Sequence, residues 1–108
     1  MDAQNAVGVP GPVAGLVEYQ AGSIVSRVLV RRRGGSVSLF AFDAGQELSE
    51  HSAPFDALVQ VIEGAATITL AAQAFKVSAG ELILMPANIP HAIKAVERFK
   101  MVLTMVKD

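Results

Sequence analysis

Apolar residues in this chain come in short runs that alternate with polar ones, and glycine, proline or asparagine interrupts the pattern before a helical period can establish itself. Residues 36–42 show it best. Val37, Leu39 and Ala41 share one parity, and Ser36, Ser38, Phe40 and Phe42 share the other. A period of two fits a pleated strand and puts no single apolar stripe on a helix. Residues 24–30, 58–63, 66–70, 75–77, 82–85, 91–96 and 99–106 read as strands on the same grounds. Residues 17–19 read as a further short strand. Turns are predicted at Gly34-Gly35, at Asp43-Ala44-Gly45, across residues 71–74 and at Ser78-Ala79-Gly80, with Glu63-Gly64 as a hairpin turn. Many short strands separated by turns predict an all-β sandwich or barrel, and closing the sheet removes its exposed edges.

A chain of 108 residues suits one domain. Residues 1–15 carry Gly8, Pro10, Gly11, Pro12 and Gly15, so they are expected to form a flexible N-terminal arm without a regular element. The arm would drape over the barrel or over a partner chain, which leaves residues 16–108 as the domain. A net charge of −1 argues against nucleic acid as a partner. The longest apolar candidate, residues 82–93, is broken by Pro86, Asn88 and Pro90, so no run is long enough to span a bilayer. The chain has no cysteine, which excludes disulfides and thiol chemistry. Met1-Asp2-Ala3-Gln4 lacks the basic and apolar segments of a signal peptide, and a cytoplasmic protein is expected. Arg31-Arg32-Arg33 reads as a charged strand end entering a turn. The alternatives are an anion-contacting patch or an interface edge.

The two histidines lie in two glycine-bounded segments. In the first, Gly45 is followed by five residues and His51, and Gly64 closes the segment. In the second, Gly80 is followed by five residues and Pro86, then Asn88 and His91. This pairing resembles the two motifs of the cupin family, and it extends from residue 45 to residue 95. The family's first motif is glycine, five residues, His-x-His, three or four residues, glutamate, six residues and glycine. Here Gly45, His51 and Gly64 match, while Ala53 and Ala57 stand where the second histidine and the glutamate belong. In the second motif Gly80, Pro86 and His91 match. Asn88 replaces a glycine and Ala95 an asparagine. Asparagine tolerates positive φ best among the non-glycine residues, so the same turn is expected at Asn88.

The resemblance implies a double-stranded β-helix, the RmlC-like jelly-roll barrel, with its site inside. In metal-binding cupins three histidines and a glutamate hold a divalent ion. Only His51 and His91 fall on those positions, so the resemblance leaves them as a reduced metal site for iron, manganese, zinc or nickel. Glu50 and Gln60 have the wrong strand parity to complete it, and so has Asp56 unless a bulge near Pro54 shifts the register. Catalytic zinc normally has three protein ligands. Without a metal, an imidazole near neutrality serves as general acid, general base or hydrogen-bond partner, which makes His51 and His91 the catalytic candidates.

A histidine in a strand is more often structural, but two at these spacings are expected to line one cavity. The alternation of residues 91–96 turns Lys94 to water and His91 inward. Ala53 and Ala57 would widen the space between the imidazoles, and Phe55, Val59, Val61, Ile93 and Met101 would wall it. Met101 and Met105 themselves read as core rather than cofactor contacts. The expected function is a cupin that binds a small molecule between His51 and His91. The alternatives are a metal-dependent dioxygenase or isomerase and a non-catalytic sensor or accessory barrel. The resemblance also implies a homodimer, in which residues 24–30 and the arm suit strand exchange.

Overall fold

The computed structural model describes residues 8–108. Its elements are almost entirely strands: β1 (Ile24–Arg32), β2 (Gly35–Phe42), β3 (Glu47–His51), β4 (Asp56–Leu70), β5 (Gln73–Ser78), β6 (Leu82–Met85), β7 (His91–Lys94) and β8 (Phe99–Val106). Every strand pairing is antiparallel. One sheet runs β1-β2-β8-β4, with β6 on the far edge of β4. The other carries β3, β7, the second half of β4, and β5. Together they form a curled jelly-roll barrel, which is all-β as the alternating pattern predicts and of the form that the resemblance implies. Among the described residues no helix is long and apolar enough to cross a membrane.

β4 joins the two sheets, and it corrects the hairpin expected at Glu63-Gly64. Residues before Gly64 pair with β6 and β8, and residues after it pair with β5 and β7, all within one unbroken strand. Gly64 has φ +71, and a Cβ there would collide with the Arg98 carbonyl oxygen. Positive φ lets a chain reverse, but in a barrel it also lets a strand turn a corner where two backbones touch. Sequence alone does not separate the two uses.

The interior is filled from facing strands. Phe42 and Phe99 stack with ring centroids 4.5 Å apart, and they are packed with Val59, Val61, Ile68 and Met101, all fully buried. A second cluster lies on the outer face of the first sheet. There Val17 covers Leu39 and Ala41, with Leu16, Tyr19, Val25, Leu29 and Val102 around them. The end of the arm and the residues that follow it therefore lie over the barrel of their own chain. Residues 1–7 of the predicted arm lie outside the described residues.

Two further expectations need correction on this face. Val13–Leu16 forms a short 3-10 turn, although residues 1–15 were expected to hold no regular element. Residues 17–19 form no strand, although Val17 is extended. They are held by side chains instead of a ladder. The Tyr19 hydroxyl donates to Glu63 Oε2 at 2.6 Å, and Lys100 Nζ donates to the Ala14 carbonyl at 2.7 Å. Glu63, from the segment predicted as a hairpin turn, is thus the anchor for Tyr19.

Candidate functional site

β3 is the strand that brings His51 into place, and the sequence barely announces it, since Leu48 is its one apolar residue. Gly45 at φ +88 sets up its entry. The Gly45 amide donates to the Ala95 carbonyl at 2.7 Å, and the Ala95 amide donates back to Gln46 at 2.9 Å. These bonds register β3 against β7 so that His51 lies directly opposite His91. Past β6, Asn88 takes φ +65, the left-handed turn expected of it, and its amide donates to the Ala53 carbonyl at 2.7 Å. The two histidine segments are therefore tied to each other at both ends.

The imidazoles meet edge to face, with ring centroids 4.3 Å apart and Nε2 atoms 3.1 Å apart. His51 Nδ1 lies 2.9 Å from the Ser49 carbonyl oxygen, and His91 Nδ1 lies 3.3 Å from that of Ile89. A carbonyl oxygen only accepts, so each Nδ1 carries the hydrogen in these contacts. With both rings neutral, the two Nε2 lone pairs then face each other. Such a contact is satisfied only when something with positive or hydrogen-donating character enters between them. His91 is buried and His51 is exposed. Burial pushes the pKa of His91 below the ordinary imidazole value, the Ile89 carbonyl opposes that, and the neighbouring His51 adds to the lowering.

Below the pair is a cavity of about 90 Å³ lined by His51, His91, Ala53, Phe55, Ala57, Ile93 and Met101, together with Leu48, Met85, Leu103 and Met105. The two alanines at the family's ligand positions open directly onto this space. Val59 and Val61, expected in its walls, do not line it. They lie on the same face of β4 as Ala57 but deeper, at zero exposure, inside the packed core. Met105 does line the cavity, as does Met101, so the methionine row serves core and cavity at once. Met85, Leu103 and Leu48 were not singled out from sequence. Met85 and Leu103 carried a signal in the parity they share with Ala57 and Met101 across paired strands, whereas Leu48 has the opposite parity to His51 and joins it only through the irregularity between them in β3. A larger groove of about 310 Å³ runs along residues 9–16, but no titratable side chain lines it.

A divalent metal is a fair test of this donor set. Two nitrogens bound to one ion at about 2.1 Å, at angles between tetrahedral and square, lie about 3.0–3.4 Å apart. The Nε2 separation falls in that range, and the Nδ1–carbonyl contacts are those that usually orient ligating histidines. No group of three or more histidine, cysteine, aspartate or glutamate side chains placed to hold a metal occurs among the described residues. Asp56, next to Ala57, is exposed and accepts from the Ala87 amide at 2.8 Å, while Glu50 and Gln60 are exposed.

The family model of the cupin domain matches residues 38–107, which carry both histidine segments. The chain belongs to the cupin family. A conserved protein of unknown function from Streptococcus pyogenes, known from its crystal structure, is 39% identical to it. That match covers 94% of this chain and 89% of that one, with a TM-score of 0.90. A cupin 2 conserved barrel domain protein from Leptotrichia buccalis is 43% identical, over 88% of this cupin and 46% of that chain, with a TM-score of 0.85. An uncharacterized protein from Streptomyces coelicolor is 34% identical over 62 residues, 57% of this chain. The match spans 59% of the length of that curated relative.

Proposed function

We propose that this cupin binds a small, largely apolar molecule in the barrel, with a polar hydrogen of the ligand held between His51 and His91. The observation that carries this reading is the 3.1 Å approach of two Nε2 acceptors at the head of an otherwise apolar cavity. A concave apolar space with a few convergent polar groups is the usual form of a small-molecule site. The alanines at positions 53 and 57 leave room where other family members have metal ligands. His91, kept neutral by burial, keeps its Nε2 lone pair available to accept a hydrogen bond from the ligand.

The second reading is a metal-dependent enzyme of the dioxygenase or isomerase type, and the spacing of the two Nε2 atoms favours it. His51 and His91 would hold the ion, with ligand oxygens or waters completing its shell. The metal would supply Lewis-acid or redox chemistry to a substrate in the same cavity. Elemental analysis of untagged protein, alongside the His51→Ala/His91→Ala variant, separates the two readings. Iron, manganese, zinc or nickel near one equivalent, lost in the variant, establishes the metal reading. No metal in either sample after loading with each ion removes it. A homodimer belongs to the same proposal, supported by Leu82 and Leu84, which are 60% and 51% exposed on the edge strand β6. Light scattering at working concentration reads its mass directly.

A further inference from the structure

One row of side chains crosses the inner face of the first sheet at the Met105 end of the cavity. Strand register puts Arg31 opposite Ser36, Ser36 opposite Met105, Met105 opposite Ala57, and Ala57 opposite Met85. Residues directly opposite in an antiparallel pair project to the same side. Three members of the row, Met105, Ala57 and Met85, line the cavity. The other two are polar. Ser36 is 7% exposed, and its hydroxyl is the one buried side-chain oxygen or nitrogen without a hydrogen-bond partner among the described residues. A buried hydroxyl left unmatched costs about 1–3 kcal/mol, so a partner for it is worth looking for.

The same end carries cations. Lys107 Nζ lies 5.1 Å from the centre of the Phe55 ring, which walls the cavity. The Lys107 amide donates to the Gly34 carbonyl at 2.7 Å, which holds the lysine beside the turn that ends the Arg31-Arg32-Arg33 run. Neither Arg31 nor Lys107 forms an ion pair among the described residues. Strands lie about 4.8 Å apart, so Arg31 stands about 10 Å from Met105, within the combined reach of its side chain and a bound anion. The carboxylates nearby are Asp56, which accepts from the Ala87 amide, and Asp108, which follows Lys107.

We infer that the cavity takes a small organic anion, a monocarboxylate whose apolar body lies among Met85, Met101 and Met105 and whose carboxylate faces Ser36, Arg31 and Lys107. This rests on the small-molecule reading above, with a ligand hydroxyl at the other end of that apolar body held between His51 and His91, and names its substrate class. The rim cations supply attraction and steering, and the serine hydroxyl supplies the directed hydrogen bond.

The test compares butyrate with butyramide, which match in shape and differ in charge. Each is titrated into protein labelled on its methionine methyls, with the folded spectrum of every variant checked before ligand is added. Butyrate is expected to shift the Met85, Met101 and Met105 signals saturably, at a concentration about three- to fivefold below that for butyramide. Arg31→Gln/Lys107→Gln is expected to erase that difference, as is high salt, and Ser36→Ala to weaken butyrate about fivefold. Equal titration by both compounds overturns the anion inference and leaves the pocket standing. Shifts confined to backbone amides of residues 31–34 show ion association at the surface and overturn it too. No methionine response to either compound removes the pocket reading, and this inference with it.

Discussion

His51 Nε2 and His91 Nε2 lie 3.1 Å apart although each ring directs its Nδ1 at a main-chain carbonyl. Two fixed acceptors are thereby opposed across the mouth of an apolar cavity. The barrel holds them there through β3–β7 register and through the Asn88-to-Ala53 bond, so rotation of either ring away from the other would break a hydrogen bond to a carbonyl. The pair is a preformed receptor for a proton, a hydrogen-bond donor or a cation.

That arrangement makes stability depend on pH in a defined direction. His91 has its pKa lowered in the folded protein, mainly by burial. The unfolded chain takes up a proton near the ordinary value of about 6.5, while the folded protein resists it. Stability is therefore complete above that value and falls as pH drops from about 6.5 through the lower folded value. Urea midpoints measured from pH 8 down to pH 5 are expected to decline in this window. His91→Gln should flatten the decline; an unchanged decline in that variant would assign it to other groups.

Gly64→Ala is expected to cost about 3 kcal/mol or more, because the new Cβ meets the Arg98 carbonyl and the residue must also keep positive φ. Gly80→Ala supplies the control. It has φ +90 with open space around its Cβ position, so it should lose about 1 kcal/mol from backbone strain alone. Urea denaturation of both variants separates the contact from the strain. Equal losses would argue that Gly64 is an ordinary turn rather than a barrel corner.

The hairpin between β4 and β5 turns through Ala71 at φ 48 and Ala72 at φ 70, both in the left-handed region. Alanine gains nothing there, whereas Asn-Gly is the pair that such two-residue hairpins favour. Ala71→Asn/Ala72→Gly is expected to stabilise the protein by about 1 kcal/mol, read as a rise in melting temperature. A fall would mean that the alanine methyl groups contribute packing that outweighs their strain.

Tyr19 holds the arm against the barrel through its 2.6 Å bond to Glu63, with Arg98 and Lys100 over its ring. Burial, followed by the Glu63 bond, pushes its hydroxyl pKa well above the ordinary tyrosine value. The chain has one tyrosine, so ultraviolet titration reads this group alone. Tyr19→Phe is expected to cost about 1–2 kcal/mol and to speed hydrogen exchange in residues 13–20. Unchanged exchange would show that Val17 and Leu16 hold the arm without it.

Much of the barrel was legible because local chemistry and tertiary placement agree. Residues 36–42 and 99–106 alternate as strands with one face on the core, and the structure has them so. Asn88 takes its left-handed turn because its side chain tolerates that backbone wherever the turn occurs. Glu63-Gly64 misled because the same local signal serves a hairpin and a barrel corner. Residues 17–19 misled because they are held by Tyr19 and Val17 rather than by strand pairing. Val59 and Val61 share parity with Ala57, but parity gives the face of a strand and not the depth along it.

From the residues alone followed the all-β class, the family resemblance, the inward face of His91 and the loss of two ligand positions to alanine. These depend on period, on turn chemistry and on spacing, all of which are local. Only the tertiary structure decided that His51 and His91 oppose their Nε2 atoms, that Met85, Leu103 and Met105 join the cavity, and that Ser36 is buried without a partner. Those facts depend on which strands pair and in what register. Register is set by contacts between residues far apart in the chain, such as Gly45 with Ala95 and Asn88 with Ala53, which no local pattern contains.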